Sequence, residues 1–442
     1  MVAEIFLQAT ADEANKTDTV FPMHSHLVLS HVCALWRAVA LHTPSLWCRV
    51  VLRLGDRTTG FSGIKSLAKT CFERSGNLPL ALTITSSVSN PSTIPNLSME
   101  LILPVRHHIR HLKLQLPVVF TESVFKLPKN SLRALKSISI SAPIPSEEGP
   151  WFRAMSPLEG APLLESVAFS WVPHPAFSRQ RPPRTPRFDP THAGLPWDQL
   201  TELRLRNFDL LCKDALHVLE IARALRRCSL HLLTPVTSNT NVQHGAQSAI
   251  LSSLGVVFTG RGSTAARFLD RITLPSLKDL SITINHDAIQ SLPCATLEAL
   301  QTRSSFSLDK FSLADRTGDT LLPFLQLNPR LTSLALTNCA LELIPLTLAL
   351  TYKPAGGSNI TLLPDLRSLA LSDHWKEIGR PRAEWTRAIK VVTAMVESRR
   401  RTALVDFAFG SSVALSATEQ TRLTRARADG MRVSVAKVRF GL

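Results

Sequence analysis

From about residue 109 onward one phrase of apolar positions keeps returning: apolar, two residues, apolar, one residue, apolar. It occupies Ile109/Leu112/Leu114, Leu135/Ile138/Ile140, Leu164/Val167/Phe169, Leu200/Leu203/Leu205, Leu225/Cys228/Leu230, Leu277/Leu280/Ile282, Leu331/Leu334/Leu336, Leu366/Leu369/Leu371 and Leu404/Phe407/Phe409. Leu297/Leu300 reads as a degenerate tenth copy, and the wide gap between Cys228 and Leu280 leaves room for a divergent one. Alternate residues of such a phrase point to one face of a short strand. So short a strand buries that face only against neighbouring copies, and the pattern therefore predicts an irregular solenoid of parallel strands. Asn285 and Cys339 stand where a side chain closes the turn after a strand. Asp214 to Arg226 (Ala215, Val218, Leu219, Ala222, Leu225) and Glu384 to Arg401 (Trp385, Ile389, Val392, Val396) have helical spacing and predict returns along the outer face.

The front of the chain has another texture. Leu29, Val32, Trp36 and Val39/Ala40 recur at three- and four-residue spacing and predict one helix, stopped at Thr43-Pro44. Thr43 is placed to cap a second helix carrying Leu46, Trp47 and Val50, with Pro44 at its first position. Ile5, Phe6 and Leu7 mark a further short element before a polar loop at residues 10–19. Three short helices around Trp36 and Trp47 are expected. This divides the chain into a helical module at 1–54, a linker with a first strand and helix at 55–108, and the repeat array at 109–442. Within the array, residues 173–196 hold seven Pro with Arg179, Arg181, Arg184 and Arg187, which predicts a mobile basic loop.

Composition narrows the picture further. The 442 residues are 44% hydrophobic and 19% charged, too apolar for a mainly disordered chain. Lys and Arg number 50 against 34 Asp and Glu, and the resulting +16 favours anionic surfaces. The excess is uneven: residues 1–60 are balanced, whereas Lys376 to Arg439 holds 14 basic and six acidic residues, with Arg399-Arg400-Arg401 among them. A helix end of this kind reads as solvated cations, and with a single Tyr in the chain, nucleic acid has little to stack on. Seven scattered Cys without a Cys-x-x-Cys pair read as buried free thiols in the cytoplasm or nucleus. No stretch reads as a signal peptide or membrane span. Enzymatic signatures are lacking too. Gly260-Arg-Gly262 is not a phosphate loop, Phe61-Ser62-Gly63 is not a nucleophile elbow, and the adjacent rings of His107-His108 diverge. No cofactor or metal is expected.

Residues 2–54 resemble an F-box. The likeness rests on Ala3-Glu4-Ile5-Phe6-Leu7, on Leu29-Ser-His-Val32-Cys33-Ala-Leu-Trp36-Arg37-Ala-Val-Ala40, and on Thr43-Pro44-Ser45-Leu46-Trp47. Phe72-Glu-Arg74-Ser75-Gly76-Asn-Leu78-Pro79-Leu80 resembles a phrase that follows in the fungal members, whose remaining length is an irregular leucine-rich array. The resemblance implies an α/β protein made of an N-terminal three-helix F-box and a leucine-rich-repeat solenoid. It would act as a substrate-recognition adaptor that docks on the Skp-type subunit of a cullin-RING ubiquitin ligase while the repeats hold a protein substrate. By motif position Ile5, Phe6, Leu7, Val32, Pro44, Leu46 and Trp47 form the docking surface or its immediate support, with Trp36 in the bundle core. The competing expectation is a basic repeat scaffold that binds anionic partners, nucleic acid or acidic protein, with the bundle reduced to a cap on the first repeat.

Overall fold

The computed structural model describes residues 2–14, 25–54, 61–86, 97–143, 156–172, 187–233, 245–259, 262–285, 292–314, 321–337, 343–352, 362–372, 382–400, 402–411 and 415–437. Two units divide the chain, Met1–Phe208 and Asp209–Leu442. Each is α/β, with parallel strands in chain order on one side and helical returns on the other.

The first unit opens with α1 (Val2–Ala14), α2 (Ser25–Val32), α3 (Ala34–Leu41) and a 3-10 turn, Pro44–Trp47. Its sheet is β1 (Arg49–Leu54), β2 (Leu80–Ser86), β3 (Ile109–Gln115), β4 (Ser137–Pro143), β5 (Ser166–Val172) and β6 (Glu202–Arg206), each parallel to the next. Pairing keeps the apolar positions in register. Val50, Leu82, Leu112, Ile138, Val167 and Leu203 form one buried column, and Leu52, Ile84, Leu114, Ile140, Phe169 and Leu205 a second. The returns include α4 (Phe61–Ser75), α5 (Leu97–Ile102), α6 (Val118–Phe125) and α7 (Ser156–Glu159).

The second unit repeats the scheme with β7 (Arg227–Leu233), β9 (Ser253–Thr259), β11 (Asp279–Asn285), β12 (Lys310–Ala314), β13 (Ser333–Thr337), β14 (Ser368–Ser372), β15 (Asp406–Ser411) and β16 (Arg432–Lys437). Two-residue strands β8 (Ala246–Gln247) and β10 (Ile272–Thr273) pair separately. Its helices are α8 (Cys212–Ile221), α9 (Gly262–Leu269), α10 (Cys294–Ser304), α11 (Leu322–Gln326), α12 (Leu343–Leu350), α13 (Arg382–Arg399) and α14 (Ala417–Ala428).

A second device ties successive copies. At the entry to β5, β6, β9 and β11 to β15, two consecutive backbone N–H groups donate to one carbonyl of the preceding copy. Lys278 and Asp279 donate to Ser252 O at 2.9 and 3.0 Å, Thr332 and Ser333 to Asp309 O at 2.9 and 3.1 Å, and Arg367 and Ser368 to Thr332 O at 2.8 and 3.0 Å. A carbonyl has two lone pairs, so one oxygen satisfies both donors. The first apolar residue of the phrase precedes this clamp and is fully buried, as at Leu277, Leu331 and Leu366.

Several expectations are corrected. The strand stack begins at β1, within the segment expected to be purely helical, so that β2, in the segment 55–108 where a first strand was expected, is the second strand. Leu297/Leu300 lies in α10; the copies there are Leu308/Phe311/Leu313 on β12 and, in the wide gap, Leu251/Leu254/Val256 on β9. The single helix expected over residues 29–40 is two, because Cys33 takes an extended backbone (φ −155°, ψ 170°) and its Sγ accepts the Trp36 N–H at 3.4 Å. Thr43 does not cap the next turn; its hydroxyl donates back to Val39 O at 2.7 Å. Helix α1 continues to Ala14, through half of the loop expected at 10–19. Of the basic loop, residues 173–186 lie outside the described residues, whereas Phe188 is fully buried with its ring 6.0 Å from that of Phe208, so this end is packed. Cys339 also lies outside the described residues. A turn-closing role does fall to Asn207, in the left-handed region at φ 58°, whose amide donates to Trp171 O at 2.6 Å.

Arg399, expected among solvated cations, is almost fully buried. From the last residue of α13 its Nε donates to Leu350 O at 2.5 Å, Nη1 to Leu363 O at 2.9 Å and Nη2 to Leu362 O at 2.6 Å. Leu350 ends α12, so the cation also sits at the negative pole of that helix. Burial lowers its pKa to about 10, which leaves it charged at neutral pH. Arg303 does the same for α9, donating to Leu269 O at 2.6 Å and Ile272 O at 2.9 Å. Arg399→Ala strands three carbonyls and should cost about 3 kcal/mol or more in urea unfolding, and Arg399→Lys, without the planar fork, should recover only part of it.

His231 on β7 is buried, and neither ring nitrogen has a hydrogen-bond partner among the described residues. Burial lowers its pKa, so the folded chain holds it neutral while the unfolded chain protonates it near its ordinary value. Stability should therefore fall as pH drops below about 6.5, and His231→Leu should flatten that part of the profile, read as urea midpoints from about pH 8 to about pH 5.5.

Candidate docking surface

The front of the first unit sorts its apolar side chains into two sets. Phe6, Ala40, Leu46 and Trp47 are buried. The Phe6 ring meets the edge of Trp36, half-buried, with centroids 5.0 Å apart. Trp47 donates its indole N–H to Ala40 O at 2.8 Å, which locks α3 onto the 3-10 turn, and the Arg74 guanidinium lies 4.3 Å from its ring centroid. Arg37 joins α3 to α2 by donating from Nε to Ser30 O at 2.9 Å. These contacts explain the phrase at residues 72–80. Arg74 stacks on Trp47, Ser75 returns its hydroxyl to Phe72 O at 2.9 Å, and Gly76 supplies the left-handed turn (φ 56°) that ends α4 before β2.

The second set faces outward. Ile5 is 58% exposed, Val32 56% and Leu35 66%, and Val2, Val28 and Leu41 are also exposed. Val2 and Ile5 lie three apart on α1, and Val28 and Val32 four apart on α2, so each pair shares a face of its helix. Isolated exposed Leu or Val is ordinary on a protein surface, but six such side chains on three short, mutually packed helices are a concentration.

Of the seven residues singled out from the sequence, Ile5, Val32 and Pro44 are exposed, Leu7 is half-buried, and Phe6, Leu46 and Trp47 support from within. Val2, Val28, Leu35 and Leu41 were not singled out. The break at Cys33 hides Leu35, because a single unbroken helix puts Val32 on the inner face with Leu29 and Trp36 and gives Leu35 no role. Among the described residues no group of His, Cys, Asp or Glu assembles as a metal site, and no helix is long and apolar enough to cross a membrane. A compact acid–base cluster, Asp189 with Thr191 and His192, is a local turn: the carboxylate accepts from the Thr191 hydroxyl at 2.6 Å and pairs with His192 Nδ1 at 2.9 Å. Those hydrogen bonds, Thr191 first, hold the Asp189 pKa near 2. No family model matches the chain, and no curated protein matches it either.

The two sets should separate in mutagenesis. Phe6→Asp should cost about 3 kcal/mol or more in urea unfolding, since it opens a cavity and buries a carboxylate, whereas Ile5→Asp should stay within about 0.5 kcal/mol of the parent.

Proposed function

We propose that the chain is an adaptor in which an F-box-like bundle, α1 to α3 with the following turn, docks on the Skp-type subunit of a cullin-RING ubiquitin ligase, while an irregular leucine-rich-repeat array holds a protein substrate. The observation that carries this reading is the outward set Val2, Ile5, Val28, Val32, Leu35 and Leu41, left uncovered while Phe6, Leu46 and Trp47 already seal the bundle. If the bundle were only a cap, that second apolar set would have no purpose. Docking of this sort draws its affinity from a few apolar anchors, which points to Ile5, Val32 and Leu35. No role in chemistry is assigned to any residue.

The alternative, a basic scaffold for nucleic acid, is weakened by where the C-terminal cations go. Arg399 is buried, Arg400 pairs with Asp429 at 3.4 Å, and Arg422 and Arg425 both reach Glu397, at 3.3 and 3.2 Å. Four of the 14 cations counted in that stretch are thus committed within the fold.

Co-expression with a Skp-type adaptor tests the docking. The parent chain should co-purify with it, and Ile5→Asp combined with Val32→Asp should lose at least about tenfold in affinity with an unchanged melting temperature. Failure of the parent to bind, or full binding by the double variant, removes the adaptor reading.

A further inference from the structure

On the first unit, the sheet face turned away from the helices is a grid set by strand register. One row runs His111, Ser137, Ser166, Glu202; the next Lys113, Ser139, Ala168, Arg204; the third Gln115, Ser141, Ser170, Arg206. The two central strands, β4 and β5, contribute only Ser and Ala to it, all half-exposed, and the long side chains stand on β3 and β6. Those outer strands are three strand spacings apart, about 14 Å, so the grid is a trough with a low hydroxyl-bearing floor and two taller walls.

The charge on the walls has one sign. Glu202 is already neutralised: Oε1 pairs with Arg204 Nη2 at 2.5 Å and Oε2 accepts from Ser166 at 3.1 Å. At the same end of the strands Lys136 pairs with Glu165 at 3.1 Å. Lys113 on one wall and Arg206 on the other are exposed, and no carboxylate partners either among the described residues. His111 registers the local field: its pKa is lowered, first by burial and then by Arg110, Lys136 and Arg49. Its Nδ1 meets the Ser137 hydroxyl at 2.7 Å.

We propose that this trough holds an extended, carboxylate-rich polypeptide segment, its acidic side chains reaching Lys113 and Arg206 and its backbone lying over the serine floor. This deepens the adaptor reading by naming a substrate class, and rests on it for the meaning of the contact. A floor of Ser and Ala admits a backbone closely, and Ser139, Ser141 and Ser170 offer hydroxyls that can donate to or accept from peptide groups. None of the twelve grid positions is Phe, Tyr or Trp, and the one ring there, His111, is held by the Ser137 hydroxyl, so the bases of a single strand would find little to stack on.

Fluorescence anisotropy on the full-length chain, without any adaptor, tests this with a fluorescein-labelled peptide of alternating Glu and Ser. Binding is expected, weakening with added salt. It should fall at least about tenfold in Lys113→Glu/Arg206→Glu and measurably in the milder Lys113→Gln/Arg206→Gln, with melting temperatures unchanged. Lys310→Glu, an equal type of charge change on β12 of the other unit, should leave it intact. Equal affinity for a Lys–Ser peptide, an effect of Lys310→Glu matching that of the trough variant, or tighter binding of a single-stranded oligonucleotide lost in the same variants would overturn the proposal. The outcome is independent of docking, since Ile5→Asp/Val32→Asp should bind the peptide as the parent does. Loss of adaptor capture with intact peptide binding would sink the docking alone.

Discussion

An apolar side chain on a five- to seven-residue strand has no cover of its own, and everything else in this chain follows from the need to supply it. In-register parallel pairing provides that cover by stacking like on like: in the second unit Leu254, Leu280, Phe311, Leu334, Leu369 and Phe407 fall in one column. The carbonyl clamp at β5, β6, β9 and β11 to β15 fixes the entry point, so these copies cannot slip without breaking two hydrogen bonds. A slip of one residue would also turn the apolar set outward. The return path is free by comparison. Leu254 and Leu280 are 26 residues apart and Leu369 and Phe407 are 38 apart, yet each pair occupies neighbouring places in the column.

Returns of unequal length leave turn carbonyls and amides at irregular places, and long polar side chains meet them. Arg303 and Arg399 collect helix-end carbonyls. Buried Asn328 accepts the Leu308 N–H at 3.2 Å and donates to Phe324 O at 3.0 Å. A net charge of +16 therefore overstates the cationic surface, since part of it is structural. Lys113 and Arg206 are among the cations that remain exposed.

Much of the architecture was legible in the sequence because a buried column demands the same residue type at the same step. All nine complete phrases lie on strands. The phrase was missed at β1, β2 and β16, where Arg49, Leu80 and Arg432 start strands without an aliphatic residue three positions before the first inward one. It was missed at β12 although Leu308/Phe311/Leu313 has the full spacing, because the neighbouring Leu297/Leu300 reads as the copy in its place. Helix α12 escaped for another reason: it is short and apolar on nearly every side, so tertiary contact rather than periodicity defines it. At the bundle, residue type gave the apolar content but not its direction. Whether Val32 faces in or out is decided by one backbone angle at Cys33, which no spacing argument contains. The trough was illegible from one strand at a time, since its walls and floor come from four strands spread over about a hundred residues.

The first strand needs an end cover, and Leu46 and Trp47, packed with α4 and Arg74, provide it. That job uses the inner half of the bundle and leaves the outer half, with Ile5, Val32 and Leu35, uncovered. Hydrogen–deuterium exchange of the full chain with and without a Skp-type adaptor is the most direct measure of this division. The account predicts slowed exchange in α1, α2 and α3 on complex formation, with the strands of both units unchanged. Complex formation that leaves residues 2–41 unprotected, or that protects the strands instead, would contradict it.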